Sequence, residues 1–336
     1  MALEVPEMKL YRRIVWTRQE RLARGLLVSV CAVPALALAA GGASPRDADG
    51  PCSLSAEAAR VACGHEAEDD YFIAVGKCLN FADESERSRC NRIASMRRAD
   101  APEECNEVFE SRDDFCDAAG QAPYDPDIDP ADFVDPADIG GSVAPNAYYP
   151  LVRGSIWVYA GGGERNTVRV TGETREILGV TCAIIHDVVE TDGEVAEDTQ
   201  DFLAQDRDGN VWYFGEVSQE LVDGFIESID GSWEAGRGLA KPGIIFEAAP
   251  AVGDVYRQEF ALGEAEDGAR VLSLNASESV PATSCKGTCV LTEDFNLLEP
   301  DSLEHKYYAP GIGTILETDP DGDERHELVS YRIGPP

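Results

Sequence analysis

The side chains best suited to chemistry are acids and aromatic residues in the second half of the chain. Five of them recur with one arginine at intervals typical of adjacent β-strands, and together they form the candidate ligand-binding set: Trp212, Glu216, Trp233, Glu234, Arg257 and Glu259. Glycoside hydrolysis needs two carboxyl groups about 5–10 Å apart, and tryptophan rings also hold sugars passively. The same pattern is equally typical of a β core in which Trp fills the interior and Glu faces water. The set therefore predicts either a carbohydrate-active enzyme or a binding site without chemistry.

Signatures of established catalytic machinery are absent from the sequence. There is no Gly-x-Ser-x-Gly, no His-Glu-x-x-His and no phosphate-binding loop. His186, His305 and His326 are isolated from one another and are typical of strand surfaces. We therefore predict no catalytic residues, no metal site and no cofactor. Whether the protein is an enzyme stays open, with a non-enzymatic protein favoured.

The overall charge restricts the partners. The chain has 63 acidic and 28 basic residues, a formal charge of −35. Such a surface repels phosphate, which excludes nucleic acid as a partner and disfavours docking on anionic lipid. A hydrophobic content of 43% over 336 residues is sufficient for two modest domains with buried cores.

The first 40 residues predict an export signal. Six basic residues precede the apolar run GLLVSVCAVPALALAA at 25–40, which is too short for an ordinary membrane span and ends in small residues. We expect cleavage near residue 40, no membrane span afterwards, and a mature protein in the periplasm or outside the cell. An uncleaved N-terminal anchor is the alternative.

Six cysteines between residues 52 and 116 are spaced as a palindrome. The intervals are 11, 15, 12, 15 and 11 residues, so nested pairs are centred on residue 84. A helical hairpin over 51–118 that turns near residue 84 would place these pairs opposite one another, because steps of 11 and 15 residues return to nearly the same helix face. The nested pairing predicts the disulfides Cys52–Cys116, Cys63–Cys105 and Cys78–Cys90. Pairing between sequence neighbours is the alternative. We expect a helix break near Pro102.

Three more cysteines follow in the second half. Cys285 and Cys289 would close a small structural loop within a hairpin, and Cys182 is either unpaired or takes one of that pair. Disulfides require an oxidising compartment, in agreement with the leader.

Residues 119–150 predict a connector. Asp-Pro recurs at 125–126, 129–130 and 135–136, and proline at this density disfavours both helix and ladder. The segment would be a semi-rigid spacer, or, because Ile128, Phe133 and Val134 are apolar, a strip that lies along the following domain.

From residue 151 to 336 the hydrophobic period becomes two. About ten short strand-like runs alternate with Gly- and Asp-rich turns, which predicts an antiparallel β domain built as a curved sheet, a barrel or a sandwich. The fold class is thus α+β: a disulfide-clipped helical hairpin followed by this domain. The stretch 236–253 interrupts the strand pattern with Gly and Pro, and we interpret it as a lid or plug loop.

Several motifs together resemble a family of exported bacterial proteins of unknown function. The likeness covers most of the mature chain and implies export and the two-part architecture, but no site residues. Its carriers are the Cys-bearing helical arm, YDPDIDPADF, Asn146-x-Tyr-Tyr-Pro-Leu with Gly154-x-x-Trp, Asp206-x-Asp-Gly-Asn-Val-Trp-Tyr-Phe-Gly-Glu, and Lys306-Tyr-Tyr-Ala-Pro-Gly-Ile-Gly.

The leading functional hypothesis is an exported, non-enzymatic binding or interaction protein. Its β domain would hold an apolar ligand or a polypeptide beneath the 236–253 loop, and the hairpin would present an acidic surface to a protein partner. The alternatives are the carbohydrate-active enzyme, with acids near Trp212 and Trp233, and a structural envelope protein without a small ligand.

Overall fold

A computed structural model describes residues 50–321 and 323–335 and confirms the α+β fold class. Two helices precede a 15-stranded antiparallel sheet. The predicted signal at 1–40 lies outside the described residues. Neither of the described helices is both long enough and apolar enough to cross a membrane.

The two helices form the predicted disulfide-clipped hairpin. Helix α1 spans Pro51–Cys78 and helix α2 spans Glu84–Ala119, with Asp83 accepting a hydrogen bond from the backbone N–H of Glu86 as the N-cap of α2. All three nested disulfides are confirmed: Cys52–Cys116, Cys63–Cys105 and Cys78–Cys90. The predicted helix break near Pro102 is wrong, since α2 continues through this residue. Disulfides on both sides of Pro102 hold the second arm against the first and offset the lost backbone hydrogen bond.

The strands follow one another with short turns. Their bounds are β1 Ile156–Gly161, β2 Glu164–Ile177, β3 Val180–Thr191, β4 Glu194–Gln205, β5 Val211–Val222, β6 Phe225–Ser228, β7 Trp233–Glu234, β8 Lys241–Phe246, β9 Val255–Arg257, β10 Glu259–Phe260, β11 Asp267–Val280, β12 Thr283–Asn296, β13 Glu299–Ala309, β14 Gly313–Thr318 and β15 Arg325–Arg332.

The sheet closes on itself through one short segment. Its order runs β10-β8-β5-β4-β3-β2-β1-β15-β14-β13-β12-β11-β9, so the first and last strands of the order are β10 and β9. These two strands are separated in sequence only by Gln258, and the chain over 255–260 therefore pairs with both ends of the sheet. One face of the sheet is consequently enclosed.

The predicted lid or plug over 236–253 is wrong. Lys241–Phe246 is strand β8, which pairs with β5 and β10, and Phe246 is fully buried. At Gly243 the backbone of β8 lies so close to the backbone of Gln258 that a side chain would not fit. A Cβ at this position would lie 2.3 Å from the carbonyl oxygen of Gln258. The glycine that suggested a loop is required for strand packing.

The Asp/Pro segment at 119–150 lies along the β domain, the second of the two arrangements expected for it. Short 3₁₀ turns at Pro130–Asp132 and Pro136–Asp138 are each capped by an aspartate side chain. Phe133, Val134 and Ile139 are buried in the main hydrophobic core. The recurrent Asp-Pro unit thus builds capped turns that present apolar residues to the sheet.

A buried ion pair joins the hairpin to the sheet. Arg112 of α2 donates to both carboxylate oxygens of Glu266, at 3.0 Å from Nε and 2.5 Å from Nη2. Phe115 packs on Phe295 with ring centroids 6.0 Å apart, and the Arg257 guanidinium lies 4.3 Å above the Phe115 ring. The base of the hairpin is therefore fixed on the sheet by charge and by aromatic packing.

Cys285 and Cys289 form the fourth disulfide, as predicted, and Cys182 is a buried free thiol. Burial raises the pKa of the Cys182 thiol to about 12, with Glu234 adding to the effect. A thiol in this environment is unreactive at neutral pH.

Candidate functional site

Cross-strand pairing identifies the side chains on the enclosed face of the sheet. Ile185, Asp201 and Glu216 lie directly opposite one another on β3, β4 and β5, and Glu216 is in turn paired with Trp233 of β7. Directly opposed residues share a face, and so do residues two apart on a strand. Asp187, two residues beyond Ile185, therefore joins Asp201, Glu216 and Trp233 on one face.

The other half of the sheet contributes a second polar row to the same face. Thr292, Lys306, Glu317 and His326 are paired in sequence across β12, β13, β14 and β15. Tyr159 of β1 lies on the same face between the two rows. It is paired with Leu328, which is two residues after His326 and therefore shares its face.

Electrostatic coupling shows that these rows face each other across the interior. Strands β3 and β14 are four positions apart in the sheet, about 19 Å along a flat surface. Nevertheless the Glu317 carboxylate contributes to raising the pKa of Asp187. Curvature has brought the two acids into range. We call the enclosed group the interior cluster, and its members are Asp187, Asp201, Glu216, Glu259, Glu317, Tyr213, Trp233 and Lys306.

Carboxyl groups of the interior cluster resist ionisation. Burial raises the pKa of Asp201 to about 6, and the nearby Glu197 adds to this, while the hydrogen bond from the Tyr213 hydroxyl at 2.6 Å opposes it. Burial also raises the pKa of Asp187 well above its ordinary range, followed by repulsion from Asp201 and Glu197. Like charges in an enclosed space cannot all be carried at once.

Glu259 behaves in the same way at the closing segment. Burial raises its pKa well above the ordinary range, and the Asp267 and Glu216 carboxylates raise it further, whereas the Trp233 indole opposes the shift. Burial alone would lower the pKa of Lys306, but Glu317, Glu304 and Asp294 together hold its pKa above the usual range. Lys306 lies 3.3 Å from Glu304 and 3.5 Å from Asp294, so its charge is already neutralised.

The interior contains unused acceptors. Asp187 and Asp201 are surrounded by protein and half-buried. The Asp187 Oδ1 and Asn166 Oδ1 atoms are covered and accept no hydrogen bond from any described residue. Buried acceptors of this kind normally find a donor in the protein, in water or in a ligand.

Trp233 adds a buried aromatic wall. It is 6% exposed and packs edge-on against Tyr213 with ring centroids 5.6 Å apart. Its indole nitrogen lies beside Glu259 but makes no well-formed hydrogen bond to any described residue.

A bulge at Gly215 places both Tyr213 and Glu216 in the interior. Leu203 and Asp201, two residues apart on β4, are opposite Tyr213 and Glu216, three residues apart on β5. The extra residue reverses the alternation, so the Tyr213 hydroxyl bonds both Asp201 and the Glu216 carboxylate, the latter at 3.1 Å. Gly215 has φ 137°, and a Cβ there would lie 2.3 Å from the Trp233 carbonyl oxygen. Only glycine fits at this position.

Of the six predicted ligand-binding residues, the structure brings together three: Glu216, Trp233 and Glu259. Trp212 lies on the other face, where its indole donates to Asp206 Oδ2 at 2.8 Å. Glu234 also faces outward and forms ion pairs with two arginines, Arg175 and Arg237. Arg257 lies between sheet and hairpin, 4.3 Å from the Phe115 ring centroid. These three residues support the fold.

Sequence reasoning missed Asp187 and Asp201. Asp187 follows the buried Ile185 on the same face of β3, and Asp201 precedes the buried Leu203 on the same face of β4. An acid next to a buried apolar residue on one face of an alternating strand is the signal that would have identified them. Among the described residues, no group of three or more His, Cys, Asp or Glu side chains is arranged to hold a metal ion.

Comparisons with protein-family models, with curated proteins and with solved structures found no match to this chain.

Proposed function

We propose that the protein is an exported, non-enzymatic binding protein whose β domain takes a small organic cation into the interior cluster. The observation that carries this proposal is a row of carboxyl side chains on the enclosed face of the sheet, beside two covered acceptors, Asp187 Oδ1 and Asn166 Oδ1, that no described residue donates to. The sequence favoured an apolar ligand, but carboxyl groups on this face would be desolvated by such a ligand without compensation. A positively charged ligand with N–H donors would supply what these groups lack.

A small organic cation would match the acceptors and aromatic rings of the interior cluster. An ammonium or guanidinium group would donate to Asp187 Oδ1 and relieve the repulsion between Asp187 and Asp201. Trp233 and Tyr213 would offer aromatic surface to the same cation, an interaction of roughly 0.5–2 kcal/mol. A bound cation would lower the pKa of these carboxyl groups and so favour their ionised state.

Export is supported by two features of the chain. The basic, apolar segment at 1–40 has the pattern of a secretory signal. Four disulfides are typical of proteins that fold in an oxidising compartment.

Isothermal titration with spermidine and with arginine amide at pH 7.5 tests the proposal. We expect saturable binding by the full mature protein and at least a tenfold loss of affinity in Asp201→Asn and Asp187→Asn. Asp198→Asn is the matched control, because Asp198 lies on the same strand but contacts His186 on the outer face, at 2.9 Å. Absence of binding by either amine, or equal losses in the control, would refute an organic-cation site. Binding of Ca²⁺ alone would assign the cluster to metal ions.

A carbohydrate-active enzyme is the second candidate, favoured by the approach of Glu216 and Glu259 beside Trp233. Glu259, with its raised pKa, would be the general acid and Glu216 the base or nucleophile. Hydrolysis of oligosaccharides that disappears in Glu259→Gln would support it. If neither amines nor sugars bind and nothing is hydrolysed, the structural envelope protein remains as the third possibility.

A further inference from the structure

Positive charge is concentrated at the far end of the hairpin, although the chain as a whole is strongly acidic. Residues 71–99 contain six of the basic residues and only three acids, a local charge of +3 in a chain of −35. The basic side chains are Lys77, Arg87, Arg89, Arg92, Arg97 and Arg98. Apolar side chains are exposed in the same region, which includes Met96 at 64% and Ile73 at 52%.

One side of the hairpin carries most of these groups. At about 100° per residue, Arg89, Arg92, Ile93 and Met96 occupy a sector of about 100° on α2. Ile73 and Lys77, four residues apart, share a face of α1. We call these six residues the tip patch.

An ion pair marks the opposite side of the hairpin. Glu68 and Arg98 bridge the two helices with an Nε–Oε1 distance of 2.7 Å. Arg98 and Glu68 project away from the tip-patch residues of their own helices by roughly 120° or more. Both halves of the tip patch therefore lie away from this pair.

The tip patch is available for a partner. Arg89 and Arg92 are exposed and form no ion pair with any described residue. Ile93 is 43% exposed, at the level of the hairpin where Val75 lies on α1. Exposed apolar side chains surrounded by cations are typical of an interaction surface rather than of a solvated helix face.

A groove of complementary character lies at the base of the same hairpin. It has a volume of about 350 Å³ and an apolar floor that includes Phe295, Leu297 and Leu303. Glu107, Glu110 and Asp114 line it from α2, all three exposed and on one helix face, without a cation partner among the described residues. We call this the acidic groove.

The tip patch cannot reach the acidic groove of its own chain. Arg92 and Glu110 are 18 residues apart on one continuous helix, about 27 Å along its axis. Three disulfides hold the two helices of this hairpin together. Any contact between the two surfaces must therefore join different molecules.

We propose that the tip patch of one copy docks in the acidic groove of a second copy. Cations meet carboxylates, and Ile73, Ile93 and Met96 meet the apolar floor of the groove. Because each copy has one patch and one groove, the contact is head-to-tail and can extend into chains unless rotation closes a ring. Exposed charges supply much of the complementarity, so the association weakens as salt rises.

Sedimentation velocity over a hundredfold concentration range, in 20 mM and 500 mM NaCl, tests the proposal with the mature protein. We expect oligomers at low salt that shift at least tenfold toward monomer at high salt. The double variants Arg89→Glu/Arg92→Glu, in the patch, and Glu107→Lys/Glu110→Lys, in the groove, should each be monomeric. Their equimolar mixture should regain oligomers, because the intact groove of one variant takes the intact patch of the other and the two reversed surfaces again carry opposite charges.

Arg165→Glu/Arg169→Glu is the control, since it makes the same charge change at exposed positions on the outer face of β2. Circular dichroism and disulfide mapping verify that every variant is folded. A wild-type protein that is monomeric at low salt throughout the range, or a variant mixture without oligomers, would overturn the proposal. Wild-type binding to vesicles containing phosphatidylglycerol, without self-association, would assign the patch to a membrane instead.

Discussion

Replacing Asp201 with Asn should make the protein more stable at alkaline pH and leave it nearly unchanged in acid. The substitution removes a charge from the enclosed face but keeps a side-chain oxygen. This oxygen can still accept the hydrogen bond that the Tyr213 hydroxyl donates to Asp201 Oδ1 at 2.6 Å in the wild-type protein. The substitution therefore isolates the cost of ionising this carboxyl group beside Glu197.

The magnitude follows from the pKa of Asp201. Burial raises it from 3.8 to about 6 in the folded protein, which corresponds to about 3 kcal/mol of lost stability once the group is ionised. In the unfolded chain the carboxyl ionises near pH 4, so the folded protein binds more protons between pH 4 and 6. Stability is lost as pH rises through this window and the full loss is present above pH 6. Asn carries no such loss.

Urea unfolding of the disulfide-intact protein at pH 4 and pH 8 measures the effect. The difference in unfolding free energy between the variant and the wild type should increase by roughly 2–3 kcal/mol from pH 4 to pH 8. The control Asp198→Asn loses a partly exposed contact with His186, and its effect should be below about 1 kcal/mol. An Asp201→Asn effect that is independent of pH, or a variant less stable at pH 8 than at pH 4 relative to wild type, would refute the reasoning.

Three further results are expected. The Cys182 thiol, with a pKa of about 12 from burial, should not react with 5,5′-dithiobis(2-nitrobenzoate) at pH 8 until urea unfolds the protein; reaction of the native state at the rate of a free thiol would contradict its burial. Glu266→Gln should cost about 3–5 kcal/mol in urea unfolding because it leaves the Arg112 charge buried without its carboxylate, and an effect below 1 kcal/mol would show that water reaches this pair. Replacing both Cys78 and Cys90 with Ser should cost about 3 kcal/mol, the entropy of the short loop that they close, and a thermal melt unchanged by the substitution would indicate that the helices hold the turn without it.

The helical hairpin could be predicted from sequence because its information is local. Cysteine intervals of 11, 15 and 12 residues fix both helix phase and chain reversal, and the nested disulfides Cys52–Cys116, Cys63–Cys105 and Cys78–Cys90 follow. Pro102 misled the prediction, since its effect on a helix depends on what holds the flanking turns.

The interior cluster could be predicted only in part, because register is not local. Alternation along β5 places Trp212 and Glu216 on one face, yet the bulge at Gly215 sends them to opposite faces. Whether a glycine in a strand is a bulge, a turn or a packing contact depends on the strand opposite it. Gly243 is the complementary error, a packing glycine interpreted as part of a loop.

Net charge is a property of the whole chain, whereas recognition depends on how charge is distributed. The total of −35 was the reason to disfavour anionic partners, and it hides two local departures. Carboxyl groups such as Asp201 lie inside the sheet, where raised pKa values reduce the charge they carry. Arg89 and Arg92 lie at the far end of a rigid hairpin, about 27 Å from the acids at its base. In the first arrangement a bound cation would favour ionisation of the interior carboxyl groups. In the second, opposite charges lie at the two ends of one helical hairpin. Both depend on the fold, and neither is visible in composition.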